Sequence, residues 1–244
     1  MIVTMSTFMI VGSIVLYVAH ETGFAVLPAI AVTVLIHLIL LPQTYQTHSL
    51  IADLDKARES LYVQSITDEL TGAYNRRHFL DEVQQAIDQA GSPGNGLALI
   101  EFDLDDFKAI NDTFGHHFGD EVLRHVGAIC RAGARQQDVF ARIGGEEFAF
   151  LLRHTTHLEA LQFAERIRQA VNASGFTLDG HHTMLSVSVG VSIYQPQQNL
   201  EELLRSSDLA MYRAKSDGKN RVVPAACVRL TNEQSRATGP RCAR

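Results

Sequence analysis

The distribution of charge divides this 244-residue chain before any motif is considered. From Met1 to Pro42 the only charged side chain is Glu21, and the first basic residue is Lys56. A stretch so poor in charge cannot present an ordinary water-facing surface. Within it, Ile2–Ala19 and Phe24–Leu41 are two apolar runs of about 18 residues each, near the lower limit for crossing a bilayer as helices. The tetrapeptide "HETG" joins them. Gly23 suits a turn, and Pro28 falls in the first turn of the second run, where no N–H is missed. A signal peptide fits poorly, because there is no basic segment before the apolar run and no A-x-A cleavage site. A buried helical hairpin would need a large soluble surface to cover it. The expectation is a transmembrane hairpin over residues 1–42, with spans of 2–19 and 24–41. Lys56 and Arg58 lie within reach of the positive-inside rule and place the part that follows in the cytoplasm.

From Gln43 onward the composition is that of a soluble protein, and the whole chain carries 46% hydrophobic and 20% charged residues with a formal net charge of −6. Nucleic acid is excluded as a partner, because phosphate backbones require concentrated Lys and Arg. Cys130, Cys227 and Cys242 are odd in number and far apart, with no zinc-type spacing, which suits a reduced compartment. The eleven histidines are scattered, and the pair His181-His182 falls in an expected turn.

Residues 43–66 read as a linker helix. Leu50, Leu54, Ala57 and Leu61, spaced 4, 3 and 4, form the seam of a short coiled coil or the apolar stripe of a plain amphipathic helix. Beyond it, Asn75–Ala90 is an amphipathic helix and "LALIEFDL" (Leu97–Leu104) a buried strand. Helices follow over Asp106–Thr113 and Gly119–Ala134. "DVFARI" and "EEFAFLL" are strands joined through Gly144-Gly145, a hairpin signal. His157–Ser174 is helical, "MLSVSVGVSIY" alternates as a strand, and Leu200–Lys215 is a last long helix. The order β-α-α-β-β-α-β predicts an α+β fold of the ferredoxin-like, palm type: an antiparallel sheet with helices packed on one face. This domain covers residues 67–223, and 224–244 reads as a disordered tail.

Asp103 ends the first long strand, and Glu146 and Glu147 follow the glycine turn between the next two. If those strands are neighbours, three carboxylates converge at one edge of the sheet, an arrangement that needs a cation and offers the hard oxygens Mg²⁺ prefers. The glycines allow a tight turn and leave room for a ligand against the backbone. Taken alone, "GGEEF" also fits a hairpin whose acids are merely solvated.

"RIGGEEF", with "DLDDFKAINDTFGHHFGDEVL" and "DELTGAYNRRHF", resembles the GGDEF domain of bacterial diguanylate cyclases, from Asp68 to about Val223. The resemblance implies the condensation of two GTP into cyclic di-GMP with release of two pyrophosphates, by a homodimer in which each domain presents one GTP. It implies Mg²⁺, with Mn²⁺ as the alternative, held by the side chains of Asp103 and Glu146 and the carbonyl of Leu104. Glu146 matches the base that takes the 3′-hydroxyl proton, and Glu147 is the second acid of the motif. Lys108 matches a phosphate-facing lysine, the N–H groups of Asp106 and Phe107 a phosphate cradle, and Lys215 and Lys219 the last phosphate contacts. Asn111 and Asp120 match the guanine readers, with His116 beside the nucleoside. Arg135 and Asp138 in "RQQD", together with Arg166, match a site at which the product inhibits. Combined with the apolar hairpin, this implies an enzyme of the bacterial inner membrane with its catalytic domain in the cytoplasm. The alternative is a catalytically silent receptor for GTP or cyclic di-GMP.

Overall fold

Strand β2, Leu97–Leu104, is buried at all eight positions, and the remaining elements are laid around it. The computed structural model describes residues 10, 12–14, 16–18, 20, 21, 26–90 and 96–226. The chain divides into two units, Met1–Val63 and Gln64–Arg244.

The first unit is dominated by helix α1, Val26–Ile66, 41 residues long. It continues through Pro42, so the expected junction between span and linker falls inside one helix. Among the described residues no helix is long and apolar enough to cross a membrane. Most of the expected first span lies outside the described residues, as does the start of the second. Leu50, Leu54 and Leu61 of the expected seam are all well exposed.

In the second unit, β1 is Tyr74–Asn75 and α2 is Arg76–Gln89, capped by the Asn75 side chain accepting from His78 N–H. After β2 come α3 (Phe107–Phe114), α4 (His116–Gly133), β3 (Val139–Arg142), β4 (Glu147–Arg153) and α5 (His157–Ser174). A small hairpin, β5 (Phe176–Leu178) and β6 (His181–Thr183), precedes β7 (Val187–Ile193), α6 (Leu200–Ser216) and β8 (Val222–Pro224). Capping boxes start α5 at Thr156/Glu159 and α6 at Asn199/Glu202, each satisfying two N–H groups the helix leaves open.

The main sheet has the order β1-β3-β4-β2-β7-β8. Its four central strands are antiparallel, but β1 pairs with β3 and β8 with β7 in parallel. The sheet is therefore mixed rather than antiparallel throughout. A second correction concerns the layers: helices cover both faces. The alternation of β2 sends Ala98, Ile100, Phe102 and Leu104 into one core with α3, α4 and α5. Leu97 and Leu99 go into another with α2 and α6. A strand buried at every position needs a cover on each side, and the pattern of "LALIEFDL" already contained that requirement.

Two further expectations shift. Pro224 belongs to β8, opposite Val191, and the N–H of Ala225 bonds to the Val191 carbonyl at 2.7 Å. Pro224 and Ala225 are thus tied to the sheet, and the expected tail from residue 227 on lies outside the described residues. His181 and His182 form part of β6; the turn falls at Asp179 and Gly180, both at positive φ.

Candidate active site

The register of β2 against β4 sets Asp103 opposite Glu147, and on its other side β7 sets it opposite Ser188. The next pair of the ladder bends into the glycine turn, where the N–H of Leu104 bonds to the carbonyl of Glu146 at 3.3 Å. Asp103, Leu104 and Glu146 are thereby brought side by side at one sheet edge. Arg142 shapes the turn: its Nε and Nη2 donate to the Gly145 carbonyl at 3.0 and 2.7 Å. Its Nη1 bonds both oxygens of Asp68 at 3.2 Å. One guanidinium therefore fastens the start of the domain to the turn. Burial tends to raise the Asp68 carboxyl, but the Thr71 hydroxyl and N–H and the Arg142 charge outweigh it and hold it below the usual range.

Helix α6 supplies the positive charge of this corner. Gly190 in β7 lets α6 lie directly on the strand: a Cβ there would overlap the Ser207 carbonyl and the Met211 nitrogen. That approach brings Lys215 to Asp103, Nζ to Oδ2 at 2.8 Å. Asp103 is 5% exposed, and burial pushes its carboxyl up to about 6 against the opposing pull of Lys215, with Glu146 and Glu147 adding to the rise. Just past the helix, Lys219 pairs with Asp106 at 2.6 Å.

The three-carboxylate cluster expected from sequence does not form. Among the described residues no group of three or more His, Cys, Asp or Glu side chains is placed to hold a metal ion. Lys215 sits at Asp103, and Glu147 folds back on the turn, so that a Cβ at Gly144 would lie 3.1 Å from its Cδ. What remains is a pair of carboxylates, Asp103 and Glu146, beside the Leu104 carbonyl. All three are hard oxygen donors of the kind Mg²⁺ takes. The ammonium of Lys215 marks a buried carboxylate that requires a positive neighbour, so the residues fit a divalent cation.

Asp105, which the sequence reading passed over, is the anchor of the corner. It is 7% exposed and accepts from Ser186 Oγ at 2.7 Å, Ser188 Oγ at 2.6 Å and Asn220 N–H at 3.0 Å. It thus ties the β2–α3 loop to the start of β7 and to the left-handed turn at Lys219 and Asn220. Its partners lie more than 80 residues away, and no local pattern announces them.

At the head of α3, Asp106 is in the left-handed region and makes no side-chain capping bond, leaving the first N–H groups of the helix open to an anion. Lys108 is exposed on the same helix. Asn111 Oδ1 is buried with no hydrogen-bond partner, and Gly119 lies over it: a Cβ there would overlap that oxygen. His116 and Asp120 stand exposed on the next helix.

The remaining predicted cluster is elsewhere. Arg135 N–H bonds Asp138 Oδ2 at 2.8 Å, and both line a cavity of about 380 Å³ with Tyr74 and Arg131. Arg166 approaches the same segment from α5: Nη2 donates to the Gly133 carbonyl at 3.0 Å, and its guanidinium lies over the Phe163 ring.

Residues 65–221, which hold every one of these positions, match the family model described as "Diguanylate cyclase, GGDEF domain". The chain belongs to the GGDEF family. Its GGDEF domain is 40% identical over 165 residues to the response regulator PleD of Caulobacter vibrioides, covering 66% of this chain and 36% of that protein. It is 35% identical over 184 residues to the probable diguanylate cyclase DgcC of Escherichia coli, covering 75% of this chain and 48% of that one. The chain therefore spans less than half the length of either relative. Among solved structures, the coiled coil and GGDEF domain of DgcB from Caulobacter crescentus, in complex with c-di-GMP, superposes with a TM-score of 0.72 at 28% identity. That match covers 76% of this chain and 99% of the other. The mixed sheet with helices on both sides is thus the GGDEF fold.

Proposed function

We propose that this protein is a diguanylate cyclase: two GTP are joined into cyclic di-GMP with release of two pyrophosphates. The observation that carries the reading is the corner at the end of β2. There Asp103, Leu104 and Glu146 stand together beside a glycine turn, faced by Lys215 and Lys219 and by the open start of α3. Hard oxygens, ammonium groups and free N–H groups converging on one space are what a triphosphate with its cation requires.

Mg²⁺, or Mn²⁺ in its place, would be held by Asp103, Glu146 and the Leu104 carbonyl, and when bound it polarises the α-phosphate and offsets charge on the leaving group. The protein's own groups do the rest. Glu146 accepts the proton of the 3′-hydroxyl; the 3′-oxygen forms its bond to the α-phosphorus of the other GTP, and the bond to the β-phosphate oxygen breaks. The same exchange in the opposite sense closes the ring. Lys108, Lys215 and Lys219 meet the phosphate charge, with the N–H groups of Asp106 and Phe107. Lys215 and Lys219 must leave Asp103 and Asp106 to do so. Lys219 and Asp106 are both well exposed, so that pair exchanges readily, whereas the buried Asp103 would give up Lys215 only to another positive charge. Asn111 Oδ1 and Asp120 take the guanine edge, with His116 beside the nucleoside.

Two active sites must face each other, so the working unit is a homodimer, and the exposed seam of Leu50, Leu54 and Leu61 supports pairing of α1 with a second copy. Product is retained at Arg135 and Asp138, with Arg166 as the second arginine, and binding there inhibits. The apolar N-terminal region supports anchoring in the bacterial inner membrane with the GGDEF domain in the cytoplasm.

The test is the product itself. Purified protein with GTP and Mg²⁺ should yield a nucleotide with the mass of cyclic di-GMP and two pyrophosphates per product. Binding of GTP or cyclic di-GMP by a confirmed dimer without turnover would make the protein a receptor instead.

A further inference from the structure

The β5–β6 hairpin stands apart from the main sheet as a two-stranded unit of its own. An isolated hairpin of three-residue strands is at best marginally stable in water, so its place depends on what it touches. What it touches is the corner between α3 and α4. Those helices are separated by the single residue Gly115, at φ +88, whose N–H bonds back to the Asn111 carbonyl at 2.8 Å.

Rings brace that corner from both strands of the hairpin. On α3, Phe114 packs against the core and stacks on Phe118 of α4 with centroids 4.6 Å apart, and it also meets the ring of His181 of β6 at 5.6 Å. Phe118 meets Phe176 of β5 edge-on at 5.2 Å, and Phe176 meets His125 of α4 at 5.3 Å. Phe118 is nearly fully buried, whereas His181 is exposed. Asn111 lies one turn before Phe114, and His116 directly follows Gly115. The Asn111 Oδ1 is buried with no hydrogen-bond partner and so has an acceptor to offer a donor from outside. Because Gly119 of α4 covers that oxygen, the placement of α4 on α3 decides how much of it a base can reach.

We infer that the β5–β6 hairpin is a working part of the nucleotide pocket, and that His181 and Phe114 are positioning residues that set the α3–α4 corner for binding a guanine nucleotide. The inference rests on the reading of Asn111 and Asp120 as the groups that take the guanine edge. In this arrangement His181 acts through Phe114, which it meets ring to ring, and Phe114 holds the corner.

The experiment uses the full chain. An aromatic contact of this kind is worth about two- to tenfold in binding. His181→Ala should raise the KM for GTP by that factor at unchanged kcat, and should weaken binding of a nonhydrolysable GTP analogue equally in calorimetry. His181→Phe should restore both. The preference for GTP over inosine triphosphate, which lacks the 2-amino group, should fall in the alanine variant. Phe114→Leu should act in the same direction; if it fails to fold, the exposed His181 still carries the test. Wild-type KM, affinity and base preference in His181→Ala, or a loss of kcat alone, would overturn the proposal. Asp120→Ala separates the two layers of argument. Lost binding there with an unaffected His181→Ala removes only the hairpin's role, whereas intact GTP binding in Asp120→Ala removes the guanine reading and the proposal with it.

Discussion

The two faces of the central sheet do different work. On the side of α3, α4 and α5, Phe102, Phe140, Phe148 and Phe150 form a ladder of stacked rings across three strands, closed by Phe163 edge-on at 4.9 Å. No carboxylate interrupts it. On the side of α2 and α6 the same strands carry Glu101, Asp103 and Glu147 among smaller apolar groups, and the neighbouring β7 has Gly190 in place of a side chain. Alternation along one strand thus separates a face that holds the domain together from a face that carries charge toward the sheet edge. The first is free to be greasy because the second accepts the cost of buried acids.

Substitutions should therefore divide by face. The largest expected effect is on turnover: Asp103→Asn should reduce it by more than about a hundredfold, beyond the loss of a mere outer-shell partner of a metal. Unfolding in denaturant should show no loss of stability beyond about 1 kcal/mol, because the substitution also removes a buried charge. A large loss of stability instead would mean that Asp103 belongs to the structural side. Phe150→Ala is its mirror image and should cost about 3–5 kcal/mol of stability through the cavity left in the ring ladder, read by the same denaturation. Gly190→Ala tests the contact on the charged face. Forcing a methyl between β7 and α6 should cost about 1–3 kcal/mol and depress turnover as well, since Lys215 rides on that helix; full activity at reduced stability would uncouple the two.

Glu101 gives the smallest effect and the most telling sign. Burial pushes its carboxyl up to about 7, helped by Asp208 and Glu147 and opposed by the Ser207 hydroxyl and Arg76. The folded state thus prefers the protonated form. That contribution is fully present below about pH 4.5 and is lost as pH rises through about 7. Glu101→Gln, which removes the charge and keeps the shape, should stabilise the protein at pH 8 by about 1–3 kcal/mol and far less at pH 5. Equal effects at both values would place Glu101 outside the charged face.

How much of this was legible in the sequence follows from distance along the chain. The helices after residue 66 were found to within three residues, because their signals are local: Asn75 before α2, the 3–4 spacing of α5; the linker helix was not, since it starts at Val26 rather than Gln43. The glycine hairpin was legible for the same reason. The parallel edge strands were not, since β1 has two residues and β8 three, too few to show a period. The β5–β6 hairpin was missed because "HHT" carries no strand signature and is held by rings on other elements. Of the site, the motif positions Asp103, Glu146, Asn111 and Lys215 could be named, and the structure places the first two at one edge. Asp105, Arg142 and Gly190 could not, because their meaning lies in partners on distant strands and helices. The convergence of three acids failed for a reason no spacing reveals: a lysine on a helix over 110 residues later reaches the carboxylate instead.

Asp105 has one more consequence, for the order in which the domain becomes competent. Its carboxylate is satisfied by donors 81, 83 and 115 residues further along, so its set of donors stays incomplete until the final helix and the loop after it have arrived. Closing such long loops is slow and comes late. A chain still missing Asn220 would hide an acid short of a donor and would lack the turn bearing Lys219. Chemistry here should therefore switch on in a single step at the end of folding, with no half-built form able to spend nucleotide.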